Sequence, residues 1–197
     1  MIIKLLIPFL LFSYSIVAQN DIPPKEWQIN TAVLGLEAPF RTGAKVYGYD
    51  ANGDFTVLRD GTNQYICLAD DPKKDGFQVA AYHKGLDAFM ARGRELKKQG
   101  KNFKEIFDIR EEEVKSGSLK MPYGSTLIVL RGDINQASKE IENEKVRYVV
   151  YTPFATTETT GLPTKPRAGG HAWIMNPGTH RAHIMITPTY PKKEDDK

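Results

Sequence analysis

The segment KVYGYDANGDFTVLRDGTNQYICLA, residues 45–69, decides the fold class that this sequence predicts. It contains three short runs rich in β-branched and aromatic residues, and DANGD and DGTN separate these runs. Asn-Gly and Asp-Gly are the strongest short-range signals for a turn between two strands. Phe55 and Val57 alternate with Thr56 and Leu58, as expected of a half-buried strand. We therefore predict an antiparallel β-meander over this segment.

Helical patterns occur on both sides of the meander. The Pro-Pro pair before Lys25 suits the first turn of a short helix that ends near Pro39. Apolar residues recur at steps of three and four from 77 to 99, which predicts the longest helix of the chain. Asn102 and Glu105 have the spacing of a capping box, so a second helix should begin there. Its acidic run, 111–113, is typical of a solvated face.

The sequence returns to a strand pattern after residue 124. STLIVLRG (125–132) and KVRYVVYTPF (145–154) are typical strands, and HAWIMNPGTHRAHIMITP (171–188) predicts a terminal hairpin. Strands come in runs that are separated by a run of helices, rather than in βαβ alternation. We therefore predict one α+β domain over 19–190. It should have a mostly antiparallel sheet of about six or seven strands, with two or three helices packed on one face.

The first nineteen residues, MIIKLLIPFLLFSYSIVAQ, have the order of a secretory signal peptide. Lys4 precedes an uncharged run from Leu5 to Val17, and Ala18 offers a small residue for cleavage. The sequence predicts a signal peptide over 1–18 and an exported, periplasmic or extracellular protein. A retained signal anchor is the alternative. After signal removal no transmembrane segment is expected. The final residues, PKKEDDK (191–197), predict a disordered charged tail.

The charge balance argues against a nucleic-acid partner. The chain has 27 lysines and arginines against 24 acidic residues, for a net charge of +3. The cations are scattered among acidic residues, as in EIFDIREEEVK, whereas nucleic-acid binding depends on clustered Lys and Arg. We expect the partner to be a small molecule or a protein instead.

The cysteine content allows no disulfide within the chain, because Cys67 is the only cysteine. Its place in QYICLAD predicts a buried, unreactive thiol on a strand. The alternative is a catalytic nucleophile with His83, the nearest histidine in sequence, as its base.

Histidine distribution is the remaining chemical signal, since the sequence contains none of the common catalytic or nucleotide-binding motifs. His171, His180 and His183 fall within the predicted terminal hairpin, and imidazole is a common zinc and copper ligand. A three-residue loop would place His171 opposite His183, whereas a loop of two or four residues would turn them to opposite faces. We predict the even-numbered loop and no bound cofactor, with zinc or copper at His171 and His183 as the alternative.

The chain contains two short motifs, V-L-R-x-G-x-N-x-x-x-C from Val57 to Cys67 and the closing strand H-I-M-I from His183 to Ile186. In these motifs it resembles a set of uncharacterised exported bacterial proteins. The resemblance implies export and a domain of this size, and it implies no activity.

Two classes of function follow from the sequence. The first is a non-enzymatic exported domain that binds a small molecule or a partner, and the absence of a nucleophile motif favours it. The second is a hydrolase-like enzyme that uses His183 or His171 as its base and Cys67 or Ser125 as its nucleophile.

Overall fold

The structure, a computed structural model, describes residues 22–189. The predicted signal peptide (1–18) and charged tail (191–197) lie outside these residues. The described chain forms one eight-stranded sheet in the order β2-β1-β3-β4-β5-β6-β8-β7. The strands are β1 (Lys45–Tyr49), β2 (Phe55–Arg59), β3 (Tyr65–Leu68), β4 (Phe77–His83), β5 (Thr126–Ile134), β6 (Ile141–Tyr151), β7 (Trp173–Met175) and β8 (His183–Ile186). The α+β prediction is confirmed, with eight strands in place of six or seven.

Five α-helices accompany the sheet: α1 (Lys25–Ala32), α2 (Ala38–Arg41), α3 (Asp87–Lys98), α4 (Phe103–Lys115) and α5 (Thr157–Thr160). Helix α4 begins at the predicted capping box, where Asn102 and Glu105 bond each other's backbone N–H groups. None of the helices described here has the length and apolarity that crossing a bilayer requires.

Helices cover both faces of the sheet, so the prediction of helices on one face is wrong. Ile29 of α1 packs in one buried cluster with Cys67, whereas Phe89 of α3 packs in another with Ile66. Consecutive residues of a strand point to opposite faces, and Cys67 follows Ile66 in β3. The α1 face and the α3 face are therefore opposite sides of one sheet.

The predicted long helix over 77–99 is wrong in its first part, which is strand β4, and its second part is helix α3. This strand pairs with β3 on one side and β5 on the other. Phe77, Val79 and Ala81 are buried on the α1 face and Tyr82 on the other, so both faces of the strand are covered. In a central strand that is covered on both faces, apolar residues do not alternate regularly with polar ones. In β4 their spacing also matches the spacing expected of a helix.

The pairing order of the strands differs from the predicted meander. β3 pairs with β1, in parallel, rather than with β2. The chain after β2 therefore crosses the end of β1. Thr62 and Asn63 donate their backbone N–H groups to the carbonyl of Gly43 in this crossing. A Cβ at Gly61 would lie 2.5 Å from the backbone nitrogen of Lys45, so the crossing requires glycine at this position. The other strand pairs are antiparallel.

Candidate functional site

The structure separates Cys67 from the histidines that were its candidate bases. Cys67 is fully buried on the α1 face, and burial raises the pKa of its thiol to about 12. His183 lies on the opposite face, four interstrand spacings away, or about 19 Å. His83 is exposed, and its Nδ1 accepts a hydrogen bond from the backbone N–H of Gly85, which caps a short 3-10 turn. No nucleophile–base pair forms at Cys67.

Ser125 and His183 do share a face, but Tyr151 separates them. The Tyr151 N–H donates to the Ser125 carbonyl on one side, and Tyr151 pairs with His183 on the other. Two interstrand spacings, about 10 Å, lie between the serine and the histidine. This distance exceeds a hydrogen bond, so Ser125 and His183 do not form a nucleophile–base pair.

The predicted terminal hairpin exists, but its register differs from both loops that we considered. Met175 pairs with His183, so the loop consists of residues 176–182. The prediction of an even-numbered loop is wrong. Continuing this register places His171 opposite Thr187 rather than opposite His183, and the His171 side chain is exposed. Within residues 22–189 no three His, Cys, Asp or Glu side chains are grouped to hold a metal ion.

A groove of about 310 Å³ lies on the α3 face of the sheet. Alternate residues of β6 from 145 to 151 point into it, so it is about 20 Å long. Leu127, Val129, Val149 and Met185 form an apolar floor along its middle. The two ends of the groove carry the polar side chains.

The outer end of the groove is cationic. Arg131 and Lys145 stand directly opposite each other on β5 and β6, and Arg147 follows on the same face. Arg131 Nε donates to the side chain of Gln78 (2.6 Å), and Arg147 Nε donates to Thr187 Oγ1 (3.2 Å). Like charges directly opposite each other on a sheet are destabilising, so this arrangement favours an anion that binds between them.

The inner end of the groove contains His183, Tyr151 and Arg181. His183 Nδ1 lies 2.6 Å from the backbone carbonyl of Arg181, which can only accept a hydrogen bond. Nδ1 therefore carries the proton and Nε2 keeps the free lone pair. Burial lowers the pKa of His183, so the ring is neutral near neutral pH. Burial also raises the pKa of Tyr151, while the charges of Arg181 and Arg110 act in the opposite direction.

Beside this end, a buried cluster joins the loop before β8 to helix α4. His180 is fully buried, its ring packs edge-on against Phe107, and its Nδ1 lies 3.3 Å from Glu111 Oε2. Glu111 also pairs with Lys115, which is the main reason that its pKa is lowered. Burial and the charges of two arginines lower the pKa of His180, and Glu111 opposes them only in part. His180 is therefore neutral near neutral pH.

Arg110 is the second buried member of the cluster. Its guanidinium lies 4.1 Å from the centre of the Phe89 ring, and Nη1 donates to the Phe89 carbonyl (3.2 Å). Gly93 of α3 makes room for it, since a Cβ there would lie 2.8 Å from Nη1. Burial, followed by the nearby charge of Arg181, lowers the pKa of Arg110 to about 10. The arginine therefore stays charged although its side chain is removed from water.

Sequence reasoning named His183 and missed the residues around it. Arg110 carried a detectable signal, because it lies at helical spacing from Phe103, Phe107 and Val114 and so falls on the apolar stripe of α4. An arginine on such a stripe must be buried with a partner. Glu111 was included in the predicted solvated face, and its contact with His180 depends on a loop distant in sequence.

No protein-family model, curated protein or solved structure matches the chain.

Proposed function

We propose that this chain is an exported binding protein for an anionic small molecule, which it holds in the groove of the sheet face. One observation carries the proposal. The groove is lined by four cationic side chains and, among the described residues, by no aspartate or glutamate. The four are Arg131, Lys145, Arg147 and Arg181. None of them forms an ion pair with a carboxylate within residues 22–189.

The rest of the groove suggests the form of the ligand. The apolar floor lies between the cationic outer end and Arg181 at the inner end, so an apolar body with an anionic group fits it best. The volume is at the small end of the range for small-molecule sites. Export is proposed from the N-terminal signal sequence alone.

The experiment uses anilinonaphthalene sulfonate, an anionic fluorophore whose emission rises in an apolar site. Its uncharged relative, N-phenylnaphthylamine, serves as the control for apolar binding without charge. The test variant is the double substitution Arg131→Gln/Arg147→Gln. Lys73→Gln/Lys98→Gln removes the same charge from exposed positions outside the groove and is the matched control.

We expect the purified protein to bind the sulfonate more tightly than the uncharged relative. Each lost ion pair should cost about 0.5–1 kcal/mol, so the groove variant should bind the sulfonate about 5- to 30-fold more weakly. The control variant should bind as the unmodified protein does. Added salt should weaken binding, because it screens exposed charges. Equal loss in both variants would contradict the proposal.

A histidine-dependent enzyme is the second candidate, and the fixed tautomer of His183 favours it. An imidazole with its Nδ1 proton held by a carbonyl presents Nε2 as a general base. If the groove hydrolyses an anionic ester, the protein should release nitrophenol from para-nitrophenyl phosphate, and His183→Gln should abolish release while sulfonate binding persists. Absence of release by the unmodified protein would contradict this candidate.

A further inference from the structure

Three buried polar atoms lack a hydrogen-bond partner within the described residues, and all three belong to the cluster beside the groove. They are Arg110 Nε, His180 Nε2 and Arg181 Nε. Buried polar atoms in proteins almost always have partners. Three unpartnered atoms in one cluster therefore indicate a small polar group that binds among them.

These side chains are held in place by their surroundings. The ring of Phe89 contacts the Arg110 guanidinium, the His180 ring (centres 5.7 Å apart) and the Tyr151 ring (6.2 Å). Arg181 follows His180 in the chain, and its charge acts on Arg110, His180 and Tyr151. We call this cluster of Arg110, His180 and Arg181 the recess.

Neighbouring carboxylates balance the charge of the recess only in part, because Glu113 acts on Arg110 through its charge without a hydrogen bond. Glu111 already pairs with Lys115 and contacts His180, and Glu113 makes a two-oxygen ion pair with Arg92. Neither carboxylate bonds Arg110 or Arg181. Buried charges are costly unless an opposite charge and hydrogen bonds compensate them. An anion is therefore the expected occupant.

The recess also offers an acceptor. The carboxylate of Glu111 accepts from His180 Nδ1, so the Nε2 of the neutral ring has a lone pair and no proton. The two arginine Nε–H groups are donors. A site with two donors and one acceptor suits an oxoanion that keeps one O–H group.

We propose that the recess binds a hydrogen phosphate group, which accepts from the two arginines and donates its P–OH to His180 Nε2. Sulfate at neutral pH lacks this proton and should bind more weakly. The inference rests on the proposed function for its link to the groove, because Arg181 belongs to both. A phosphate monoester offers the same P–OH only as its monoanion, because its second pKa is about 6.

The test measures the melting temperature of the purified protein in inorganic phosphate and in sulfate at matched ionic strength and neutral pH. At a hundredfold excess over Kd, phosphate should raise the melting temperature by about 5–10 °C. We expect phosphate to bind at least tenfold more tightly than sulfate by titration calorimetry. Equal effects of phosphate and sulfate would overturn the inference.

Two variants separate the recess from the groove. Arg110→Met should weaken phosphate binding at least tenfold while sulfonate binding in the groove persists. Arg131→Met, the matched control, should weaken sulfonate binding about two- to fivefold and leave phosphate binding unchanged. Because each protein is compared with itself with and without phosphate, altered stability of a variant does not obscure the result. If Arg110→Met retains full phosphate affinity, the recess inference is wrong, and the sulfonate experiment still decides the proposed function.

His180→Gln tests the role of the acceptor. A glutamine amide can donate as well as accept, so the preference for phosphate over sulfate should fall to a few-fold. An unchanged preference would overturn the role of His180. Phenyl phosphate then identifies the source of the group when it is compared with inorganic phosphate at about pH 6, where roughly half of the monoester is the monoanion that keeps a P–OH. Tighter binding than inorganic phosphate indicates a monoester whose body enters the groove, and equal binding indicates free phosphate.

Discussion

Substituting Gly93 by alanine tests the packing of the recess directly. Gly93 lies in the middle of α3, where alanine is ordinarily favoured over glycine by about 1 kcal/mol. The new Cβ, however, would lie 2.8 Å from Arg110 Nη1 and 3.3 Å from its Cζ. The guanidinium must move, but the Phe89 carbonyl and the Phe89 ring hold it on the other side.

The two effects oppose each other, and their relative sizes decide whether Gly93→Ala stabilises or destabilises the protein. Losing the bond from the charged Nη1 to the Phe89 carbonyl should cost about 1.5–3 kcal/mol, which is the range for hydrogen bonds to charged groups. Subtracting the helix propensity gain leaves a net loss of about 0.5–2 kcal/mol in the free energy of unfolding. In an Arg110→Met background the clash is removed, so the same substitution should stabilise the protein by about 1 kcal/mol.

Urea unfolding of the four proteins in this double-mutant cycle gives the coupling energy between positions 93 and 110. We expect a coupling energy of about 1.5–3 kcal/mol. Gly93→Ala should destabilise the protein that has Arg110 and stabilise the Arg110→Met variant. If Gly93→Ala stabilises the protein equally in both backgrounds, Arg110 does not occupy the space beside Gly93.

Three further predictions concern the rest of the chain. The Cys67 thiol should react slowly with Ellman's reagent in the native protein at neutral pH and quickly after unfolding, because it is fully buried with a raised pKa; fast native labelling would contradict this. Because burial lowers the pKa of His183, the unfolded chain takes up a proton below about pH 6.5 that the folded chain does not. Stability should therefore fall as the pH drops below that value, and His183→Gln should flatten the decline; an unchanged slope in urea titrations would refute it. Mass spectrometry of the exported protein should show a chain that begins after Ala18, and retention of Met1 would show the predicted signal peptide to be wrong.

The fold class could be predicted because local patterns agree with it at most elements. The capping box at Asn102 and the strands after residue 124 depend on neighbouring residues, and both predictions are confirmed. β4 could not be distinguished from a helix, because a strand covered on both faces loses its alternation. The parallel pair of β1 and β3 was missed because turn signals do not specify which strands pair.

The site was less predictable than the fold because it depends on contacts distant in sequence. His180 and Glu111 are 69 positions apart, and no local pattern connects them. His183 was identified only as a member of a histidine cluster, and its actual neighbours are Arg181 and Tyr151. The groove cations of β5 and β6 alternate along their strands, but only the register places Arg131 opposite Lys145.

The position of β4 next to β5 has a consequence for how this protein can be altered. Tyr82, near the end of β4, pairs with Leu127, near the start of β5. The chain therefore leaves the sheet after β4, forms the two helices, and re-enters the sheet as the neighbouring strand. Residues 84–125 are thus an insertion between adjacent strands, and a hairpin turn could close the same gap. The insertion supplies Arg110, whereas the sheet supplies the groove. Exchanging the helical pair for another cover of matching apolar area should therefore allow the ligand preference to be redesigned without rebuilding the sheet.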